Sequence, residues 1–179
     1  MPTPERTTLV EIVRAARGIL ESQGLPRLTM QAVADSVGVR APSLYKRVAG
    51  RDALIGLAAD ATAGELADRL EAVEGGIAEL AREFRNFALA NPEGYSLLFA
   101  IGPEATRPLR ATLERATVPL LRECERRVGG DHALDAARML TAWVTGFVSM
   151  ELAGAFRLGG DIPTGFEYGI ERLEIALLR

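Results

Sequence analysis

Residues 29–48 read Thr29-Met30-Gln31-Ala32-Val33-Ala34-Asp35-Ser36-Val37-Gly38-Val39-Arg40-Ala41-Pro42-Ser43-Leu44-Tyr45-Lys46-Arg47-Val48. Thr29 is a helix-capping residue type, and Met30, Val33, Ala34 and Val37 share one face of the short helix that would follow it. Gly38 is a left-handed stop, and Pro42 suits the first turn of a second short helix over about 42–48. Two short helices joined by a glycine-containing turn form a helix-turn-helix. Such a pair buries little by itself, so neighbouring helices must brace it. Its second helix then stands proud of the surface, where its first residues can reach base edges in the major groove while flanking groups hold phosphates. Arg40, Pro42, Ser43, Tyr45, Lys46 and Arg47 are expected to face outward, with Leu44 and Val48 turned in.

Working outward, every neighbouring segment has helical periodicity. Thr8–Gln23 places Leu9, Ile12, Val13, Ala16, Ile19 and Leu20 at helical spacing, opens on a Thr8/Glu11 capping box and stops at Gly24. Arg51 to about Glu74 predicts a longer helix, broken by Gly75-Gly76. The pattern resumes with Ile77, Leu80, Ala81, Phe84, Phe87 and Ala88. Asn91-Pro92-Glu93 opens a short helix ending near Ala100, and a further helix is expected from Glu104 to Val128, kinked at Pro119. Asp131 is expected to cap a helix running to Arg157 and stopped by Gly159-Gly160. Thr164 with Glu167 predicts the cap of a last helix ending near Leu178. No stretch alternates as a strand does. The fold class is all-α, with about nine helices. The expected division is a three-helix domain over residues 1–52 and a helical regulatory and dimerisation domain over 53–179.

The 179 residues are 48% hydrophobic and 25% charged, a soluble globular composition. No apolar run reaches the roughly 18 residues of a membrane span, and the N-terminus lacks the apolar core of a secretory signal, so a cytoplasmic protein with no membrane partner is expected. Cys124 and His132 are the only residues of their kinds. An intramolecular disulfide, a multi-cysteine zinc site and any chemistry that needs two imidazoles are therefore excluded, and no cofactor, metal or catalytic residue is expected. Residues 1–55 hold eight basic and five acidic side chains, whereas the remainder holds 13 basic and 19 acidic. A basic third on an acidic body suggests an anion-binding module attached to something that avoids nucleic acid.

Residues 8–55 resemble the DNA-binding domain of the TetR family of transcriptional regulators. The resemblance is carried by the helix ending in Gly24, by Leu28-Thr29-Met30-Gln31-Ala32-Val33-Ala34-Asp35-Ser36-Val37-Gly38-Val39, by Ser43-Leu44-Tyr45-Lys46, and by Arg51-Asp52-Ala53-Leu54. It implies phosphate contacts from Thr29, Tyr45 and Arg51, with Arg40 to Ser43 and Lys46 facing bases or backbone. Val48 stands where the family usually has an aromatic, Arg47 where histidine is common and Arg51 where lysine is common. The arginines keep or add cationic charge, and the valine thins the local core. Farther along, Trp143-Val144-Thr145-Gly146-Phe147 with Met150-Glu151-Leu152-Ala153-Gly154 resembles the tryptophan-histidine-glycine type of C-terminal domain, with Thr145 in place of the histidine.

Phe84, Phe87, Tyr95, Phe99 and Trp143 are half of the ten aromatic residues. Each alone reads as core, but together they suggest an aromatic-lined ligand pocket. Phe147, Met150 and Gly154 continue a 4-3-4 stripe from Trp143, and Phe166, Ile170, Leu173 and Leu177 form a second stripe. These stripes suit either an internal hairpin or an interface with a second copy, and the resemblance favours the homodimer. The function expected is a ligand-responsive regulator that binds double-stranded operator DNA, released from it by a small apolar or aromatic effector. The alternatives are a regulator that senses no ligand or activates, and a small helical enzyme.

Overall fold

The computed structural model describes residues 7–100 and 102–177, which form nine α-helices and two short 3-10 turns, with no strand among them. The helices are α1 (Leu9–Gln23), α2 (Met30–Ser36), α3 (Ala41–Leu44), α4 (Arg51–Glu71), α5 (Ile77–Ala90), α6 (Pro92–Leu98), α7 (Arg110–Val128), α8 (Gly130–Leu152) and α9 (Ile162–Ala176). The 3-10 turns are Leu25–Arg27 and Glu104–Thr106.

Local chemistry sets the helix ends. Thr8 and Glu11 form the expected capping box: the Thr8 amide donates to Glu11 Oε2 at 2.7 Å and the Glu11 amide to Thr8 Oγ1 at 3.2 Å. Gly38, at φ +69°, ends α2 with the Val39 amide donating to the Ala34 carbonyl at 2.9 Å. The same device ends α8, five residues earlier than expected at Arg157: Gly154 has φ +60° and the Ala155 amide reaches the Met150 carbonyl at 2.9 Å. Gly159-Gly160 therefore lies in the connection to α9. The cap of α9 is Asp161, whose carboxylate accepts from the Thr164 amide at 2.9 Å and hydroxyl at 2.6 Å, so Thr164 serves the cap instead of forming it. The seventh helix starts at Arg110 and not Glu104. Pro108 disfavours helical geometry in the residue before it, and Arg107 is accordingly extended at φ −91°, ψ 152°. Gly129, not Asp131, is the N-cap residue of α8.

Packing divides the chain into two compact units. The first comprises residues 1–65 with 91–113, and the second residues 66–90 with 114–179. In the first unit Ile12, Ala16 and Leu20 of α1 pack with Leu28, Val33, Leu44, Leu54 and Ala58 in one apolar cluster. Leu97 of α6 joins them. Glu21 of α1 reaches the start of α6, where its carboxylate accepts from the Glu93 and Gly94 amides at 3.2 and 2.7 Å. It thus caps a helix about 70 residues distant in sequence. The backbone at Ala105 crosses α4 at Gly56 so closely that a Cβ there would lie 2.2 Å from the Ala105 carbonyl oxygen.

The second unit is built on Ile77 and Ala81 of α5, Cys124 of α7, Leu140 and Val144 of α8, and Phe166 and Ile170 of α9. Gly169 lets α9 approach α8: a Cβ at this position would lie 2.1 Å from Trp143 Cζ2. Charged side chains tie the same helices together. Arg85 makes a two-pronged pair with Glu151, at 2.8 and 2.5 Å, and its guanidinium carbon lies 5.2 Å from the Phe166 ring centre. Arg82 pairs with Glu167 at 2.7 Å and with Glu79 at 2.8 Å.

Candidate nucleic-acid interface

The first unit holds the helix-turn-helix in the form the sequence suggests, with one difference. Thr29 is half-buried and caps α2, accepting from the Ala32 amide at 3.1 Å. The α-helical part of α3 ends at Leu44, four residues short of Val48, and Tyr45–Arg47 continue as a turn in which the Arg47 and Val48 amides both donate to the Leu44 carbonyl. Leu44 and Val48 are buried, and this fixes the outward direction of what lies between them. Arg40, Pro42, Ser43, Tyr45, Lys46 and Arg47 are all exposed, with Tyr45 at 55% despite its size. These six lie in and immediately around α3, all open to solvent. Three of them are cations, so the surface is suited to a polyanion.

Arg51 differs from the rest. Its Nε donates to the Leu28 carbonyl and its Nη2 to the Leu25 carbonyl, both at 2.8 Å. Leu25 and Leu28 belong to the turn between α1 and α2. Two N–H donors of the guanidinium are thus directed at the protein's own backbone.

The other sequence-derived sites are distributed over both units. Tyr95 and Phe99 lie in the first, with ring centres 5.1 Å apart. Tyr95 is buried and Phe99 is 49% exposed. Phe84, Phe87 and Trp143 lie in the second; Phe87 is fully buried beneath the Arg69 guanidinium, and Trp143 packs against Phe147 and Phe166 at 5.5 and 5.3 Å. The two stripes proposed as an interface also divide. Phe166 and Ile170 are buried in the core of the second unit, the internal packing that is one of the two alternatives their spacing leaves open. Phe147, Leu173 and Leu177 are half-buried against that core, while Met150 and Gly154 remain exposed. Sequence reasoning missed Met139, Tyr168 and Ile175, which are exposed apolar or aromatic residues on α8 and α9. Their exposure reflects helix rotation, which the apolar spacing alone did not resolve.

Two domain families match the sequence. The one described as bacterial regulatory proteins, tetR family, covers residues 12–57, and the tetracyclin repressor-like C-terminal domain covers residues 77–173. The chain belongs to the TetR family. Its members are DNA-binding transcriptional regulators, which agrees with the exposed cations Arg40, Lys46 and Arg47 around α3. Solved structures similar to this TetR-family chain include SCO4313, described as a regulatory protein, at 26% identity and a TM-score of 0.76, covering 92% of this chain and 93% of that one. The transcriptional regulator SCO7222, a TetR from Streptomyces coelicolor, has 18% identity and a TM-score of 0.75 over 96% of this chain and 98% of its own. A TetR variant from Acinetobacter baumannii AYE, in complex with minocycline, has 22% identity and a TM-score of 0.68, with coverage of 95% and 96%. The last two likenesses concern the fold alone. No curated protein sequence matches. Among the described residues no helix is long and apolar enough to cross a membrane, and no group of three or more histidine, cysteine or acidic side chains could hold a metal ion.

Proposed function

We propose that this TetR-family regulator is a homodimeric repressor that leaves its operator when a small apolar or aromatic molecule binds. Residues 1–52 are the DNA-binding domain in this reading, and residues 53–179 sense the effector and dimerise. The single observation that carries it is the exposed set Arg40, Pro42, Ser43, Tyr45, Lys46 and Arg47 beside the Thr29 cap. Buried Leu44 and Val48 turn Tyr45, Lys46 and Arg47 outward. One such surface reads too few base pairs to select a site. A two-fold dimer presents two of them, about one helical turn of DNA or roughly 34–36 Å apart. The dimer contact is assigned to α8 and α9, on which Met139, Met150, Gly154, Tyr168 and Ile175 are exposed.

The effector class is read from the aromatic character of Phe84, Phe87, Tyr95, Phe99 and Trp143 in the sequence. The Trp143-Val144-Thr145-Gly146 sequence supports assignment to the tryptophan-histidine-glycine subgroup with its histidine replaced. A similar fold in complex with minocycline is consistent with a flat polycyclic effector. An effector acts by preferring the conformation that does not fit DNA, and its effect is bounded by that preference. A repressor of this kind works in the cytoplasm.

The test begins with selection of duplexes from a random-sequence DNA library by the purified protein, followed by binding titrations and sedimentation. A selected two-fold site, a dimer in solution, and release of that duplex by one compound in a panel of planar apolar molecules are expected. A protein that retains no duplex, or a monomer at micromolar concentration, overturns the proposal. Replacing Tyr45 by Phe and Lys46 by Ala should weaken binding to all duplexes alike, as phosphate contacts do.

A further inference from the structure

The guanidinium of Arg51 joins two parts of the DNA-binding unit that are 23 and 26 residues apart in sequence. Arg51 is the first residue of α4, and its acceptors are the Leu28 and Leu25 carbonyls. Leu25 opens the 3-10 turn after α1 and Leu28 closes it, its own amide donating back to Leu25 at 3.2 Å. Thr29 follows immediately as the cap of α2. The carbonyl that accepts from Nε therefore belongs to the peptide bond leading into the helix-turn-helix. Leu28 is completely buried in the apolar cluster that includes residues of α1, α2 and α4, so this turn has a fixed depth, and the two hydrogen bonds fix its rotation against α4.

We propose that Arg51 supports DNA binding as a positioning residue: its planar fork holds the Leu25–Thr29 turn against α4 and so sets where α2, and with it α3, stand. This rests on the DNA-binding reading above, and departs from the resemblance, which gives a cation at this position a phosphate. The chemistry separates the two roles. A phosphate contact needs positive charge within reach, which lysine supplies as a point charge. A bridge between two carbonyls needs donors at a fixed angle and separation, which the guanidinium has and a single ammonium on a flexible stem does not.

The experiment compares wild type, Arg51→Lys and Arg51→Ala on a labelled duplex selected by the wild-type protein and on a scrambled duplex of equal length, across a series of salt concentrations. Positioning predicts that Arg51→Lys loses affinity for the selected duplex about tenfold, the size of one lost charge-assisted hydrogen bond. The scrambled duplex is bound nearly as before, and the slope of log K against log salt stays at the wild-type value for both variants. A phosphate contact predicts the reverse: Arg51→Lys binds as wild type, and Arg51→Ala lowers the slope by about 0.9 on both duplexes. That result overturns the proposal. Amide hydrogen exchange of the free protein reads the same question without DNA. Faster exchange of the Ala32 and Val33 amides in Arg51→Lys, with the α5 and α8 amides unchanged, is the expected outcome. Unchanged exchange at α2 overturns the proposal. If the wild type retains no duplex at all, the DNA-binding reading is what fails, and exchange at α2 alone decides whether the fork holds that helix.

Discussion

Replacing Gly169 by alanine should destabilise the protein, although alanine is the better helix former. Inside a helix the exchange is worth about 1 kcal/mol in alanine's favour. The new methyl, however, would sit 2.1 Å from Cζ2, 2.8 Å from Cη2 and 3.1 Å from Cε2 of Trp143. Ordinary carbon contacts lie at about 3.5–4.0 Å, so the ring and the helix must separate by more than an ångström. The indole cannot simply turn aside, because Phe147 and Phe166 pack against it at 5.5 and 5.3 Å between ring centres. Overpacking of this kind costs about 1–3 kcal/mol, and the severity of the overlap argues for the upper part. The expected net is a loss of about 1–2 kcal/mol. Gly165, four residues earlier on the same helix, is the control: a Cβ there meets only Phe147 Cζ, at 4.0 Å. Gly165→Ala should therefore stabilise by up to about 1 kcal/mol. Urea unfolding followed by circular dichroism at one fixed protomer concentration measures both variants. A Trp143→Leu change should cost less in the Gly169→Ala background than in wild type, since it removes the obstructing ring. If Gly169→Ala matched Gly165→Ala in stability, the account of α8 and α9 packing would be wrong.

Two further outcomes are expected in the second unit. The side chains of Arg85 and Glu151 are only 14% and 12% exposed, so Glu151→Leu alone should cost about 3 kcal/mol by leaving Arg85 unmatched, whereas Arg85→Leu with Glu151→Leu should recover most of that loss; additive costs in a double-mutant cycle would contradict the pairing. Hydrogen bonding from Arg82 holds the Glu167 carboxyl below its ordinary value of 4.5, and the Gly76 amide does the same for Glu79. A carboxyl lowered on folding stabilises the folded state above its unfolded value and loses that contribution as the pH falls from 4.5 through the lower folded value. The urea midpoint should accordingly decline on acidification below that value, and decline less in Glu167→Gln; identical acid limbs for the two proteins would count against the assignment.

Much of the architecture was legible because it rests on neighbours in sequence. The Thr8/Glu11 box, the Gly38 stop and the inward turn of Leu44 and Val48 all involve residues within about one or two helical turns, where spacing and residue type carry the geometry. The errors came where two local signals competed. Thr164 and Asp161 are both good caps, and Gly154 and Gly159 are both good stops; the residue nearer the apolar run of the helix prevailed at α8, and the one farther out at α9. Burial on α9 was ambiguous for a different reason. An apolar stripe looks the same whether it faces its own core or a second molecule, and only packing shows that Phe166 and Ile170 face inward. Arg51 was recognisable as a cation at the right place, but its acceptors are backbone carbonyls, which leave no mark in residue identity. Glu21 was missed altogether because its partners are amides of α6, beyond the reach of any local motif.

Cys124 has a practical consequence for measuring how the recognition segments move. The only cysteine of the chain is fully buried, and burial pushes its thiol up from the ordinary value, so little thiolate is available to a maleimide or methanethiosulfonate reagent. The natural sequence therefore serves as a low-background host for site-directed labelling, with no cysteine to remove first. A single cysteine introduced at exposed Ala49, beside α3, would carry a spin label or dye at one known place on each protomer. In the dimer proposed above, distances between two such labels, taken with and without a candidate effector, would report the separation of the recognition surfaces directly, in solution and without DNA.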